Sequence, residues 1–160
     1  MIRFAEKLQP VLLRQPQAST TEFVSQHVRM RAAQWVTFMA VWGERTTDAA
    51  TNPFNFRVFA STAATTVSAT AQPFKYRLSS ALGTDSWGNI TAATAAGVNV
   101  DEGVINRLLI IDVDPASITK ADANFVHLRV DGRGDGTNPA FGIVGFVEPR
   151  FPQNANLSTT

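Results

Sequence analysis

The chain of 160 residues contains no cysteine. That excludes disulfides, thiolate metal sites and cysteine nucleophiles, and a disulfide-free chain suits folding in a reducing cytoplasm. Histidine is scarce too: His27 and His127 are the only two. Neither has an Asp or Glu at metal-ligand spacing, so no metal site is expected. A dominant charge is missing, with 14 basic residues against 13 acidic ones and a net charge of +1. Duplex-binding proteins gather Lys and Arg on one face or in one run, and no such run occurs here, so no nucleic-acid partner is expected. No apolar run approaches the ~20 residues of a membrane span. Residues Met1–Lys7 place charges where a signal peptide needs an apolar core. The expectation is a soluble chain without a membrane partner or a cleaved signal. Long helical periods, tandem repeats, Gly-x-Ser-x-Gly, phosphate-cradling loops and dinucleotide fingerprints are absent as well.

What the chain does have is a run of residues patterned as strands. At Gln34–Gly43, one side of a period-two reading carries Trp35, Thr37, Met39 and Val41, and the other Val36, Phe38, Ala40 and Trp42. β-Branched and aromatic residues favour a strand, and a strand apolar on both sides needs a cover on each: a second sheet, a folded-back arm or a partner protein. The apolar fraction of 44% is that of a folded protein. At this length one domain can bury roughly 70% of the unfolded chain's surface. The spacing divides the chain into an N-terminal arm (1–21), whose large apolar residues call for packing either on another surface or on its own domain as a first strand, a β domain (22–152) and a polar C-terminal tail (153–160).

Within the domain, strands are predicted over Glu22–Met30, Gln34–Gly43, Phe54–Val58, Thr65–Ala69 (short and weak), Phe74–Leu78, Arg107–Val113, Phe125–Val130 and Phe141–Val147, with Trp87–Ile90 undecided. Thr91–Gly97 reads as a surface loop. Val126, Leu128 and Val130 should point inward, and His27 and His127 outward on polar strand faces. Asp114 before Pro115 predicts one short helical turn, because Asp caps the free N–H groups and proline is preset for the first helical position. About eight short strands without helices predict an all-β fold, an antiparallel β-sandwich of jelly-roll type with an extended N-terminal arm.

Chemistry-bearing constellations are thin. Asp112 and Asp114 at a strand end form a carboxylate pair of the kind a glycosidase uses, but Asp114 already has a capping role. The loop Asp131–Asn138 spaces Asp and Asn oxygens and contains Arg133-Gly134-Asp135, yet lacks the bidentate glutamate of a calcium loop. Trp42, Trp87, Phe59 and Phe151 are candidates for stacking on a sugar or base. No catalytic residue, cofactor or metal is assigned; the chain is not expected to be an enzyme.

Several segments together resemble a group of small tailed-bacteriophage virion proteins, typically encoded close to the major capsid protein. They are Val28–Arg31 with Trp35–Phe38 and Val41–Gly43, Pro73–Arg77 with Asp85–Gly88, and Leu108–Asp114. Phe125–Val130, Gly142–Gly145 and the ending Glu148-Pro149-Arg150-Phe151-Pro152 complete the set. The resemblance runs from Val24 to Pro152 and implies a capsid decoration, or cement, protein: a β-sandwich docked outside the shell, bridging capsomers against internal DNA pressure. It brings no catalytic residues. It implies a virion protein at the capsid surface, assembled in the host cytoplasm, whose partners are the major capsid protein and itself, as a homodimer or homotrimer. Shell or subunit contacts are expected from the arm (Ile2, Phe4, Leu8, Val11, Leu12, Leu13), from Trp42, and from the tail (Pro149, Arg150, Phe151, Leu157). The other readings are a minor head–tail connector or tail protein, and a carbohydrate-binding module on the virion surface.

Overall fold

The computed structural model describes residues 8–18, 22–31, 33–43, 54–80, 86–100, 107–131 and 140–149. Twelve strands occupy them: β1 (Gln9–Ala18), β2 (Phe23–Val24), β3 (Val28–Arg29), β4 (Ala33–Trp42), β5 (Phe54–Ser61) and β6 (Thr70–Gln72), then β7 (Phe74–Leu78), β8 (Thr91–Ala93), β9 (Val98–Val100), β10 (Arg107–Val113), β11 (Phe125–Asp131) and β12 (Ala140–Pro149). A 3-10 turn covers Pro115–Ser117. All pairings are antiparallel.

The strands form two sheets. The first runs β1-β12-β4-β10-β7-β8; the second runs β2-β11-β5-β6, with β3 also on β11 and β9 also on β5. Taking β2 and β3 as one interrupted strand, the chain alternates between sheets from β1 to β5 and again from β10 to β12. The first and last of these strands lie side by side. That wiring is a jelly roll, with β7 and β8 added to one edge of the first sheet.

The two inner faces make the core. Val36, Phe38, Ala40 and Trp42 of β4 and Leu109, Ile111 and Val113 of β10 meet Phe54, Phe56, Val58 and Ala60 of β5 and Val126, Leu128 and Val130 of β11, all buried. Phe141 on β12 is the hub. Its ring lies 5.3 Å from Phe23, 4.7 Å from Phe54, 6.2 Å from Trp42 and 6.3 Å from Phe56, so one side chain touches both sheets.

Three local devices reshape what period-two patterning predicts. Glu22–Met30 is not one strand, because the Ser25 hydroxyl takes the Leu128 N–H at 3.0 Å in place of a backbone carbonyl. The Gln26 N–H crosses instead to the carbonyl of Leu13 in the other sheet, at 3.0 Å. Thr65–Ala69 forms bends and a turn, with Ser68 at φ 59°, and the strand follows at Thr70. Thr91–Gly97, read as a loop, begins with β8; β9 follows it directly, paired to Phe54–Phe56. The predicted turn after Asp114 is present, and the Asp114 carboxylate accepts from the Ala116 N–H at 2.8 Å.

Within the stretch set apart as an N-terminal arm, residues Gln9–Ala18 pack on their own domain as β1, an edge strand on β12. Strand alternation sets two consecutive leucines on opposite sides, Leu12 beside outward Val144, and a register shift follows between Leu12 and Arg14. Leu13 is 2% exposed and Leu12 57%. Gly145 makes room for Leu13, since a Cβ there would stand 2.6 Å from Leu13 Cδ1. Pro10 and Pro16 remove donors from β1, which blunts further pairing along this edge.

The difference in burial between the two leucines makes a sharp prediction. Leu13→Ala should lower stability by about 2–5 kcal/mol through the cavity it leaves, while Leu12→Ala should change it by less than about 0.5 kcal/mol. Urea titration of both variants checks this; equal losses would mean that the two side chains do not differ in burial as described.

Candidate functional site

The outer faces of the two sheets differ in chemistry. On the second sheet the outward residues are charged and paired. Arg57 and Arg129 both contact Asp131, Arg129 also reaches Glu22, and the guanidinium groups lie 5.3 and 5.4 Å from the Phe59 ring centroid. Asn55 donates to Asn99 at 2.7 Å. Exposed pairs of this kind add little stability; they keep the face wet.

On the first sheet the outward residues are mostly apolar. Cross-strand register sets Leu12 beside Val144, Val144 beside Met39, and Met39 beside Ile110, one row across β1, β12, β4 and β10. Val41 beside Leu108 extends it. Leu12 and Val41 are exposed; Met39, Leu108, Ile110 and Val144 are half-buried. The row exists because β4, β10 and β12 keep apolar residues at every second position after the inner face is satisfied. Its exposed members are Leu12 and Val41, with the half-buried four between and beside them.

Beyond this row, towards the β8 edge, lies a pocket of about 250 Å³. Trp35 near the start of β4 forms a wall, Pro73 and Phe74 line it from the β6–β7 corner, and Lys75, Asp112, Asp114 and Ser117 bring polar groups. Asp112 sits between Thr37 and Lys75 in the ladder and accepts a hydrogen bond from the Thr37 hydroxyl at 2.7 Å. The Ser117 hydroxyl donates to the Asp114 carbonyl at 2.7 Å, which fixes the turn against the pocket. Asp112 and Asp114 thus both line the pocket, each holding a structural hydrogen bond.

Sequence-predicted contact residues are scattered by the fold. Trp42 lies in the core, 3% exposed and 5.6 Å from Phe56, because it belongs to the inward face of β4. Leu13 is buried, Leu8, Val11 and Pro149 are half-buried, and Leu12 stands out in solvent. Ile2, Phe4, Arg150, Phe151 and Leu157 lie outside the described residues, as does most of the Asp131–Asn138 loop. Of the aromatics considered for stacking, Phe59 is buried under two arginines and Trp87 is 36% exposed. Among the described residues no cluster of three potential metal ligands occurs.

The histidines are not exposed. His127 is 1% and His27 9% exposed, and their rings lie 4.5 Å apart. Phe59 stacks on His127 at 5.6 Å. The loop between β2 and β3 folds His27 over the outer face of β11, which period-two reading of either strand alone does not show. Burial first, then the charges of His27 and Arg129, push His127 down to about 4. Burial lowers His27 as well, against a backbone hydrogen bond with Thr65 that raises it. His27 Nε2 and His127 Nδ1 have no hydrogen-bond partner among the described residues.

No family model matches the sequence, and no curated protein does. Among solved structures, the crystal structure of SPBc2 prophage-derived protein YomS is similar at 13% identity and a TM-score of 0.42, over 88% of this chain and 91% of that one.

The histidine pair predicts acid lability. The unfolded chain binds protons near the ordinary pKa of 6.5, whereas folded His127 resists them until about 4. Stability is therefore full above 6.5 and falls as pH drops from 6.5 towards 4, by up to about 3 kcal/mol. Thermal melts across this window should show the fall, and His127→Phe should flatten most of it. A wild-type profile as flat as the variant's would contradict the neutral buried pair.

Proposed function

We propose that this chain is a structural protein of a tailed-phage virion. It docks on the outside of the capsid shell through the outer face of the first sheet and stabilises the head by bridging capsomers. The observation that carries this reading is the contrast between the two outer faces. Leu12, Met39, Ile110 and Val144 form an apolar row on one, while Arg57, Arg129, Asp131 and Glu22 hold the other in water. A protein with one dry and one wet face has one side to bury and one to leave outside. The sequence resemblance to phage decoration proteins supports the same reading.

The energetics fit a cement role. Each buried Å² of apolar surface contributes about 25 cal/mol, so a small row gives weak binding per copy. Copies repeated over a symmetric shell and joined as dimers or trimers sum those weak contacts. The near-balanced charge of +1 gives neither nucleic acid nor a charged membrane surface a handle. In this proposal the partners are the major capsid protein and further copies of the chain. Work at the contact comes from burial, with no catalysis.

The expected shell contact therefore moves from the arm as a whole to one sheet face. Removing residues 1–20 would delete β1 and with it Leu13, so point changes on the outer face give the cleaner test. Purified protein should pellet saturably with empty expanded heads of the virus that encodes it and raise the temperature at which they burst. Leu12→Glu combined with Val41→Glu, the two exposed members of this face on strands that are not neighbours, should weaken pelleting by about tenfold or more, roughly the 1.4 kcal/mol lost with two desolvated apolar contacts, without changing the melting temperature of the free protein by more than a few degrees. Pelleting unchanged by the double variant would overturn the docking face. Recovery of the protein with tails instead of heads would favour a connector or tail component.

A further inference from the structure

We propose that the pocket walled by Trp35 binds a single neutral sugar ring, such as the terminal residue of a glycan. This goes beyond the docking face and rests on different residues, since none of the pocket's lining residues belongs to the apolar row.

The ligand class follows from the donors and acceptors that converge there. Asp112 and Asp114 offer carboxylate oxygens, Lys75 an ammonium, and Ser117 a hydroxyl. An anion would meet two carboxylates. A cation would meet Lys75, which sits directly across the strand pair from Asp112. An apolar ligand would strip water from three charged groups without replacing it. A ring bearing several hydroxyls satisfies all of them, donating to the carboxylates and accepting from the ammonium.

The wall agrees with this. Trp35 is half-buried at the pocket edge. A broad ring of this kind holds the C–H face of a sugar, which is apolar, while the hydroxyl edges turn to the polar groups. Pro73 and Phe74 give the lining a further dry side. The acceptors are also held before any ligand arrives. The Thr37 hydroxyl and the Ala116 N–H each occupy one oxygen, at 2.7 and 2.8 Å, which sets the carboxylate orientation and leaves each group a second oxygen.

Size limits the occupant. A volume of about 250 Å³ lies just below the ~300–1,000 Å³ of sites for drug-sized ligands. One ring fits, with the pocket mouth left for the rest of a chain. No single residue here signals a sugar site; the signal is an aromatic wall with mixed donors and acceptors built from β4, β7, β10 and the following turn.

The test uses the full chain in solution. Methyl glycosides of glucose, galactose, mannose and N-acetylglucosamine are titrated by saturation-transfer NMR and calorimetry, with N-acetylarginine amide and inorganic phosphate alongside. At least one glycoside should bind with millimolar affinity or better. Trp35→Ala should abolish that binding, Asp112→Asn and Ser117→Ala should each weaken it about tenfold, and Trp87→Ala should leave it unchanged. If Trp35→Ala does not fold, Asp112→Asn and Ser117→Ala carry the test, both being small changes at the pocket rim. Binding of the arginine amide alone, binding of no glycoside, or glycoside binding untouched by Asp112→Asn and Ser117→Ala would each overturn the proposal. Head sedimentation does not depend on any of these outcomes, so failure of the pocket and failure of the docking face are read separately.

Discussion

One aromatic ring holds the two sheets together. Phe141 projects from β12 into the space between the layers and touches Phe23, Trp42, Phe54 and Phe56. Those partners come from both sheets, so the spacing of the sandwich at this end is set by how five rings interlock. Large aromatic side chains dominate burial, and tilted or edge-on pairs add to it. Once that cluster is formed, the alternating residues of β4, β5, β10 and β11 have nowhere to go but inward. Their neighbours are forced out. The outer faces are thus a by-product of the inner packing, and their composition is free to serve something else.

What they are made of differs by side. The second sheet carries an ion-paired lattice around Phe59 and a buried histidine pair under the β2–β3 loop. The first carries a row of methyl groups and thioether across four strands, with Thr37, Lys75 and Asp112 next to it at the pocket. A sheet face that stays apolar without a second layer over it is a liability unless something covers it, and natural sheets rarely keep one idly. The proline pair in β1 guards the edge of the same sheet. Further strand pairing is thereby discouraged at its rim, while its face stays apolar.

Much of the architecture is legible in the sequence because strand faces obey period two. Val126, Leu128 and Val130 point inward as their alternation says, Asp114 caps its turn as its proline neighbour says, and the all-β sandwich follows. The parts that are not legible have physical reasons. A serine hydroxyl that replaces a ladder carbonyl leaves no pattern, so the break between β2 and β3 is invisible. Short strands made of Thr, Ala, Val and Asn, such as β8 and β9, look like loop because their pairing partners rather than their own residues hold them. The histidines read as exposed since each strand's polar side is judged without knowing which loop lies over it. Trp42 offered itself as a contact residue through sheer size, and its parity along β4 puts it inside. The pocket is the extreme case: Trp35, Lys75, Asp112 and Ser117 are distant in sequence, and only the neighbour relations of β4, β10 and β7 gather them.

The position of β12 has a temporal side. This strand, formed by residues 140–149, lies between β1 and β4. A ribosome that has made β1 and β4 has made two strands with a vacancy between them, and nothing earlier in the chain fills it. Phe141 arrives with the same segment. Contacts so far apart in sequence are slow to form, because the long intervening chain must be ordered before they reward it. The first sheet cannot close, nor its apolar row assemble, until β12 has left the exit tunnel. A chain made only as far as β11 therefore has no completed outer face on its first sheet, and the apolar row comes into being only with β12.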